Sequence, residues 1–172
     1  GDSQVVDAQG RPLVVYHATT APADFDAFRT VEGQFYSGAH FGNADQAEAI
    51  IKSRQNVRHR AEVRNGGKLP DAYVAFSGSP RIMPVYLSIN NPKRIVDQGD
   101  ESRWHRAIEQ AIGEGYDGFV YENTEEGEGD SYVVFRPEQI KSVNNNGTWS
   151  KEDPRILFSL APTIEVDGKV RP

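Results

Sequence analysis

Residues 12–20 read Pro12-Leu13-Val14-Val15-Tyr16-His17-Ala18-Thr19-Thr20, an apolar climb to one histidine followed by a small residue and two hydroxyls. Val14, Val15 and Tyr16 are β-branched or aromatic and favour a pleated, half-buried strand. A histidine closing such a strand has two uses. It can satisfy a nearby backbone carbonyl, or it can hold a ring nitrogen toward a cleft. The stretch alone leaves both open, and the rest of the chain has to decide.

Upstream, Val5 to Pro12 reads as a short strand and a turn feeding the strand Leu13 to Tyr16. Downstream, Asp24-Phe25-Asp26-Ala27-Phe28 sets two aromatics three apart, as in one turn of helix. Phe35 to Gly42 is aromatic and glycine-rich, a strand or loop where something approaches the backbone closely. Asn43 caps a helix expected from Ala44 to about Arg54, with Ala44, Ala47, Ile50 and Ile51 on one apolar face. Asn65-Gly66-Gly67 is a turn, and Tyr73 to Phe76 reads as an edge strand. Met83 to Ile89 alternates and stops at Asn90-Asn91-Pro92, so it is a strand. Trp104, Ile108, Ala111 and Ile112 repeat at helical spacing within Glu101 to Glu114. Tyr116 to Tyr121 and Ser131 to Phe135 are further strands, Glu138 to Ile140 a turn, and Lys141 to Val143 a last short strand. Ile156 to Phe158 is expected to tuck back onto the domain. Short strands with two or three helices and no regular alternation describe an α+β domain with mostly antiparallel sheet. A Rossmann fold is excluded because no glycine fingerprint joins a strand to a helix.

The 172 residues suffice for one domain, expected over residues 1–160, with 161–172 a linker or disordered end. The chain has no cysteine, so disulfides, thiolate nucleophiles and thiolate metal sites are excluded. No apolar run spans a bilayer, and the polar start Gly1-Asp2-Ser3-Gln4 reads as a piece of a longer protein without a secretory signal. No histidine pair has metal-ligand spacing, so no metal is expected. The net charge of −6 hides a split. Lys52, Arg54, Arg58, Arg60, Arg64 and Lys68 face only Glu62 in one segment, while Glu122, Glu125, Glu126, Glu128 and Asp130 form an acidic loop. The basic segment is a solvated face, a clamp for a pyrophosphate, or a patch for nucleic acid.

Three stretches come in a telling order: Tyr16-His17-Ala18-Thr19, then Gly38-Ala39-His40-Phe41-Gly42 with Ala47 and Ala49 behind it, then Asp130-Ser131-Tyr132-Val133-Val134-Phe135. The chain resembles the ADP-ribosyltransferase fold of diphtheria toxin and the poly(ADP-ribose) polymerases. More closely, it resembles ADP-ribosyltransferase-like domains of phage and mobile-element polyvalent proteins, a likeness carried also by "MPVYLSINNP", "GYDGFVYEN", "NNGTW" and "DPRILFS". That resemblance implies split antiparallel sheets gripping NAD as co-substrate. It implies a strand histidine on the nicotinamide ribose, a backbone clamp from the following residue, an aromatic on the nicotinamide ring and a glutamate on the ribose 2′-hydroxyl.

Carried over residue by residue, His17 matches the ribose-binding histidine. Ala18 stands for the usual glycine, with its backbone groups kept and a Cβ crowding the carboxamide pocket. Thr19 can hydrogen-bond the ribose side. His40 takes the usual tyrosine position with Phe41 beside it. The later stacking aromatic falls at Ile51, so Tyr36 is the candidate for the missing ring. Ser131 holds the usual glutamate position, with Asp130 just before it. Glu128 or Asp130 is then the substitute carboxylate, and Glu126-Gly127-Glu128 matches the Glu-x-Glu of related acceptor-recognising loops. Without the glutamate, the resemblance implies transfer of one ADP-ribose rather than a chain.

Three functions stay open. The first is an NAD-dependent mono-ADP-ribosyltransferase of toxin or effector type, acting in a cytoplasm or a target-cell cytosol with a host protein as acceptor. Nucleic acid is the weaker acceptor, since the acidic loop repels a long polyanion. The second is a nucleotide-binding module of the same fold that has lost catalysis. The third is a metal-independent ribonuclease toxin with His17 and His40 as acid and base.

Overall fold

The structure, a computed structural model, describes residues 3–20, 28, 38–123, 125–145, 152–153, 155–156, 164–166 and 169–171. Strand β1 (Val15–Thr19) pairs antiparallel with β3 (Arg81–Leu87), and β3 with β7 (Ile140–Ser142), making a three-stranded sheet. A second sheet runs β2 (Ala39–Phe41), β6 (Asp130–Val134), β5 (Gly118–Glu122), β4 (Pro92–Arg94). Its pairs are antiparallel except β4 with β5, which is parallel. Helix α1 (Ala44–Arg64) follows β2 directly, and α2 (Glu101–Gly113) links β4 to β5. Ile164–Val166 (β8) and Lys169–Arg171 (β9) form a separate antiparallel pair within the segment expected to be a linker. The fold is α+β with split sheets, as the residue pattern indicates.

The two sheets meet at one rung. Tyr16 and Gly42 exchange both backbone hydrogen bonds, at 2.8 and 3.0 Å. Beyond that rung β1 and β2 diverge. Pro84 sits in the central strand β3, where proline is normally excluded. It pairs with Tyr16, whose own backbone groups face β2, so Pro84 needs no bond to β1; its backbone turns to the β7 side, where its carbonyl accepts from the Val143 N–H at 3.3 Å.

Strand alternation divides the core in two. Phe41, Val134, Val15, Val85 and Leu87 join Phe28, Ile89, Ile140 and Ile156 between the sheets. Phe119, Tyr121, Val133 and Phe135 face the other way, onto Trp104, Ile108 and Ala111 of α2. Burying each of these large side chains stabilises the fold by about 1.5–3 kcal/mol. Gly38, at φ +79°, lets the chain enter β2 there, since a Cβ would run into Val133 and Ile108.

Several local expectations need correcting. Helix α1 runs ten residues past Arg54, to Arg64. Ala44 is exposed, while Ala47 is buried and Ile50 and Ile51 are half-buried. Tyr73–Phe76 belongs to a 3₁₀ turn (Asp71–Phe76), not an edge strand. Asn90-Asn91 ends β3's run as expected, but Pro92 begins β4 instead of a loop. Of the helical turn expected at Asp24–Phe28, only Phe28 lies among the described residues.

Candidate active site

His17 lies on the inter-sheet face of β1, its ring edge-on to Phe28 at 4.9 Å and tilted to Phe41 at 5.4 Å. Its Nδ1 is 2.8 Å from the His40 carbonyl oxygen. Only an N–H can serve a carbonyl, so the ring carries its proton on Nδ1 and keeps a bare Nε2. Burial pushes the His17 pKa down to about 4, and the positive charge of Arg54 works in the same direction. The imidazole is therefore neutral near pH 7. Of the two uses that the sequence left open, the carbonyl contact is the one seen: Nδ1 satisfies His40, and Nε2 is left as an acceptor.

The next rung of the β1–β2 ladder is replaced by side chains. Continuing from Tyr16–Gly42, Ala18 would exchange bonds with His40. Instead the His40 carbonyl takes the His17 ring, and the Ala18 carbonyl lies 3.4 Å from Nη1 of Arg54. The Ala18 backbone thus faces the side where the β1–β2 ladder stops, and the whole residue is buried. Thr19 and Thr20 are buried beyond it, with Thr20 Oγ1 donating to the Ala75 carbonyl at 2.9 Å.

Arg54 belongs to the inward stripe of α1: Ala47, Ile50, Ile51, Arg54, Arg58 and Ala61, spaced three and four apart. Two arginines in that stripe spend their guanidinium groups on backbone carbonyls, Arg54 on Ala18 and Arg58 on Phe76 and Ser77. Burial lowers the Arg54 pKa and the negative charge of Glu126 opposes that shift, so Arg54 sits in the field of the acidic loop.

The acidic loop is held, not loose. Asn43 caps α1 and Gln46 closes the capping box: the Asn43 side chain accepts from the Gln46 N–H, and Gln46 Oε1 accepts from the Asn43 N–H, both at 2.9 Å. The same Gln46 amide donates to the carbonyls of Gly127 and Gly129 at 3.0 and 3.1 Å, and Asn43 Nδ2 donates to that of Glu128 at 3.0 Å. Gly127 and Gly129 have φ of +135° and +117°, which L side chains rarely adopt. At the loop's other end, Asn123 Oδ1 accepts from the N–H groups of Glu125 and Glu126. Asn123 Nδ2 donates to Glu126 Oε2 at 2.7 Å.

Beneath the loop lies Ser131, 2% exposed. Its hydroxyl donates to Gln46 Oε1 at 3.0 Å and accepts from Asn123 Nδ2 at 3.2 Å. Tyr121, paired across the strands with Ser131, stands 3.3 Å from His40 Nδ1. Burial, with Glu126 and Asp97 nearby, raises the Tyr121 phenol above its ordinary value, so it stays protonated. A continuous polar chain therefore runs His40–Tyr121–Ser131–Asn123–Glu126.

The family model for ADP-ribosyltransferases in polyvalent proteins matches residues 7–150. The chain belongs to this family. No curated protein and no solved structure matches it.

Within the ADP-ribosyltransferase domain, the anticipated site residues divide by location. His17, Ala18 and Thr19 follow one another on β1 past its rung with β2, with Ala18 and Thr19 buried. Phe41 is 2% exposed and serves as a core contact for His17. His40 is on the opposite face of β2, edge-on to Trp104 at 4.8 Å. Its carbonyl, not its ring, reaches the gap. The Asp130 side chain points away from Ser131 and is gripped by Arg94 through two bonds of 2.9 and 2.7 Å. The Glu128 side chain is exposed, and its residue contributes a carbonyl to the clamp on the loop. Tyr36 lies outside the described residues. Sequence reasoning noted Arg54 in the basic segment and Glu126 in Glu126-Gly127-Glu128, but did not single out Gln46 or Asn123. Gln46 had a signal, since Asn-x-x-Gln ahead of a helical run is a capping box. Asn123 had none, because its contacts with Glu126 and Ser131 arise only in the fold. Among the described residues no group of three His, Cys, Asp or Glu could hold a metal ion, and no helix is long and apolar enough to cross a membrane.

Proposed function

We propose that the domain is an NAD-dependent mono-ADP-ribosyltransferase whose carboxylate is Glu126. The observation that carries this reading is the convergence, where β1 leaves the β2 ladder, of a neutral His17 with a bare Nε2, the Ala18 backbone edge that no longer pairs with β2, and Arg54 in the field of Glu126. His17 Nε2 accepts a ribose hydroxyl, and the Ala18 N–H and C=O are placed to hold a carboxamide. Arg54 offers a guanidinium to the pyrophosphate. As the bond from ribose C1′ to nicotinamide nitrogen breaks, its electron pair leaves with the ring and positive charge builds on the sugar. Glu126, fixed by Asn123, supplies the opposing charge. An acceptor nucleophile then bonds C1′ and loses its proton. A single carboxylate in the site supports one transfer rather than chain growth.

The burial of Ser131 beneath Gln46 and Asn123 favours a second reading, an NAD-binding module without turnover. Nicotinamide release and label transfer from tagged NAD distinguish the two. Transfer that is lost in Glu126→Gln supports the enzyme, whereas a thermal shift with NAD and no nicotinamide supports the module. The ribonuclease reading loses its acid–base pair, because the rings of His17 and His40 stand on opposite faces of β2.

A further inference from the structure

Among the described residues Arg11, Arg58, Arg94, Arg103, Arg136 and Arg155 each meet a carboxylate within ion-pair distance. The exposed Arg60, Arg64 and Arg106 meet none there, and of these Arg60 and Arg64 stand one helical turn apart on α1. Both line one groove, of about 420 Å³, between the last turns of α1 and the 3₁₀ turn Asp71–Phe76. Its other walls include the ring of Tyr73, the ring of Pro70 and the amide of Asn65. The Asn65 amide is fixed by donating from Nδ2 to the backbone carbonyl of Lys68 at 3.0 Å.

We propose that this groove binds a short single-stranded segment of nucleic acid. Two arginines whose Cβ atoms lie about 5–6 Å apart on one helix face can reach neighbouring phosphates. A half-buried tyrosine offers a face for one base, and an amide can hydrogen-bond a base edge. A cavity of this size takes one or two nucleotides, too few for a duplex. The acidic loop does not oppose such binding. It is held at the first turn of α1 by Gln46, roughly 20–27 Å along the helix from Arg60 and Arg64. That separation exceeds the screening length of about 8 Å at physiological salt two- to threefold. An acidic peptide would satisfy the arginines but would leave the tyrosine face unused.

The test is fluorescence anisotropy of the protein with a labelled single-stranded oligonucleotide, across a salt series and without NAD, so that its outcome is separate from that of the transferase reading. Binding is expected with a log–log salt slope of about −1.4, for two phosphates neutralised on a single strand. Arg60→Gln with Arg64→Gln should flatten the slope. Tyr73→Ala should weaken binding by on the order of tenfold while keeping the slope, and Tyr73→Phe should restore it. Circular dichroism checks that each variant is folded. The proposal is overturned if the oligonucleotide does not bind, if the double arginine variant binds it as well as the wild type, or if a polyglutamate peptide competes with it equally.

Discussion

His17 gives the site a pH signature that can be measured without any substrate. Its folded pKa is about 4 against an ordinary 6.5, with burial the main cause. Between those values the unfolded chain holds a proton that the folded chain does not. Acid therefore favours unfolding in this window, and stability rises with pH from about 4 to 6.5 and then levels. A difference of 2.5 units at 1.36 kcal/mol per unit is about 3.4 kcal/mol, which residual solvent access trims to about 2–3 kcal/mol. Asp7, Asp100, Glu114 and Asp153 are held below their ordinary carboxylate values, and their stabilisation begins to fall below about pH 5. That loss is common to the wild type and a His17 variant, so it cancels in a comparison of the two. The assay is urea unfolding at pH 7, 6, 5 and 4, compared with His17→Asn. Asparagine can still donate to the His40 carbonyl but does not titrate. The wild type should lose about 2–3 kcal/mol across the series relative to the variant. Parallel curves for the two proteins, or an NMR titration of His17 above pH 6, would refute the buried neutral imidazole and the tautomer drawn from it.

Further outcomes follow from the same geometry. Gln46→Ala keeps the Asn43 cap but removes the reciprocal half of the capping box and leaves the loop carbonyls and Ser131 without their partner, and should cost about 2–4 kcal/mol in urea unfolding. It should also raise the KM for NAD as the acidic loop loosens. Ser131→Glu should not create an active carboxylate. It forces a charge into a site already filled by Gln46 and Asn123, and a fall in melting temperature with no gain in nicotinamide release is expected. Asp130→Asn breaks only an exposed ion pair with Arg94, so stability should change by under about 1 kcal/mol and turnover by less than twofold.

What was legible in the sequence was whatever local pattern controls. The alternation in Met83 to Ile89, the spacing of Trp104, Ile108 and Ala111, and the Asn43 cap all correspond to elements found within a few residues. The second half of α1 was hidden because its inward stripe is completed by Arg54 and Arg58, whose contacts are backbone carbonyls instead of apolar side chains. A hydrophobic period cannot register such a stripe. The 3₁₀ turn at Tyr73–Phe76 has strand-like residues but no sheet partner, and its Thr20–Ala75 contact is long-range. For the site, His17 was legible because a polar residue ending a β-branched run is locally unusual. Glu126 was one acid among five, and only Asn123 and Gln46, folded around the loop, single it out from Glu128 and Asp130.

Release of nicotinamide from NAD by the wild type, Glu126→Gln, Glu128→Gln and Asp130→Asn, measured at saturating NAD, tests the assignment of chemistry most directly. Glu126→Gln should fall by roughly 10²–10³-fold in kcat, the order seen when one transition-state-stabilising group is removed, while still showing a thermal shift with NAD. The other two variants should stay near wild type. Turnover undiminished in Glu126→Gln but abolished in Glu128→Gln or Asp130→Asn would contradict it.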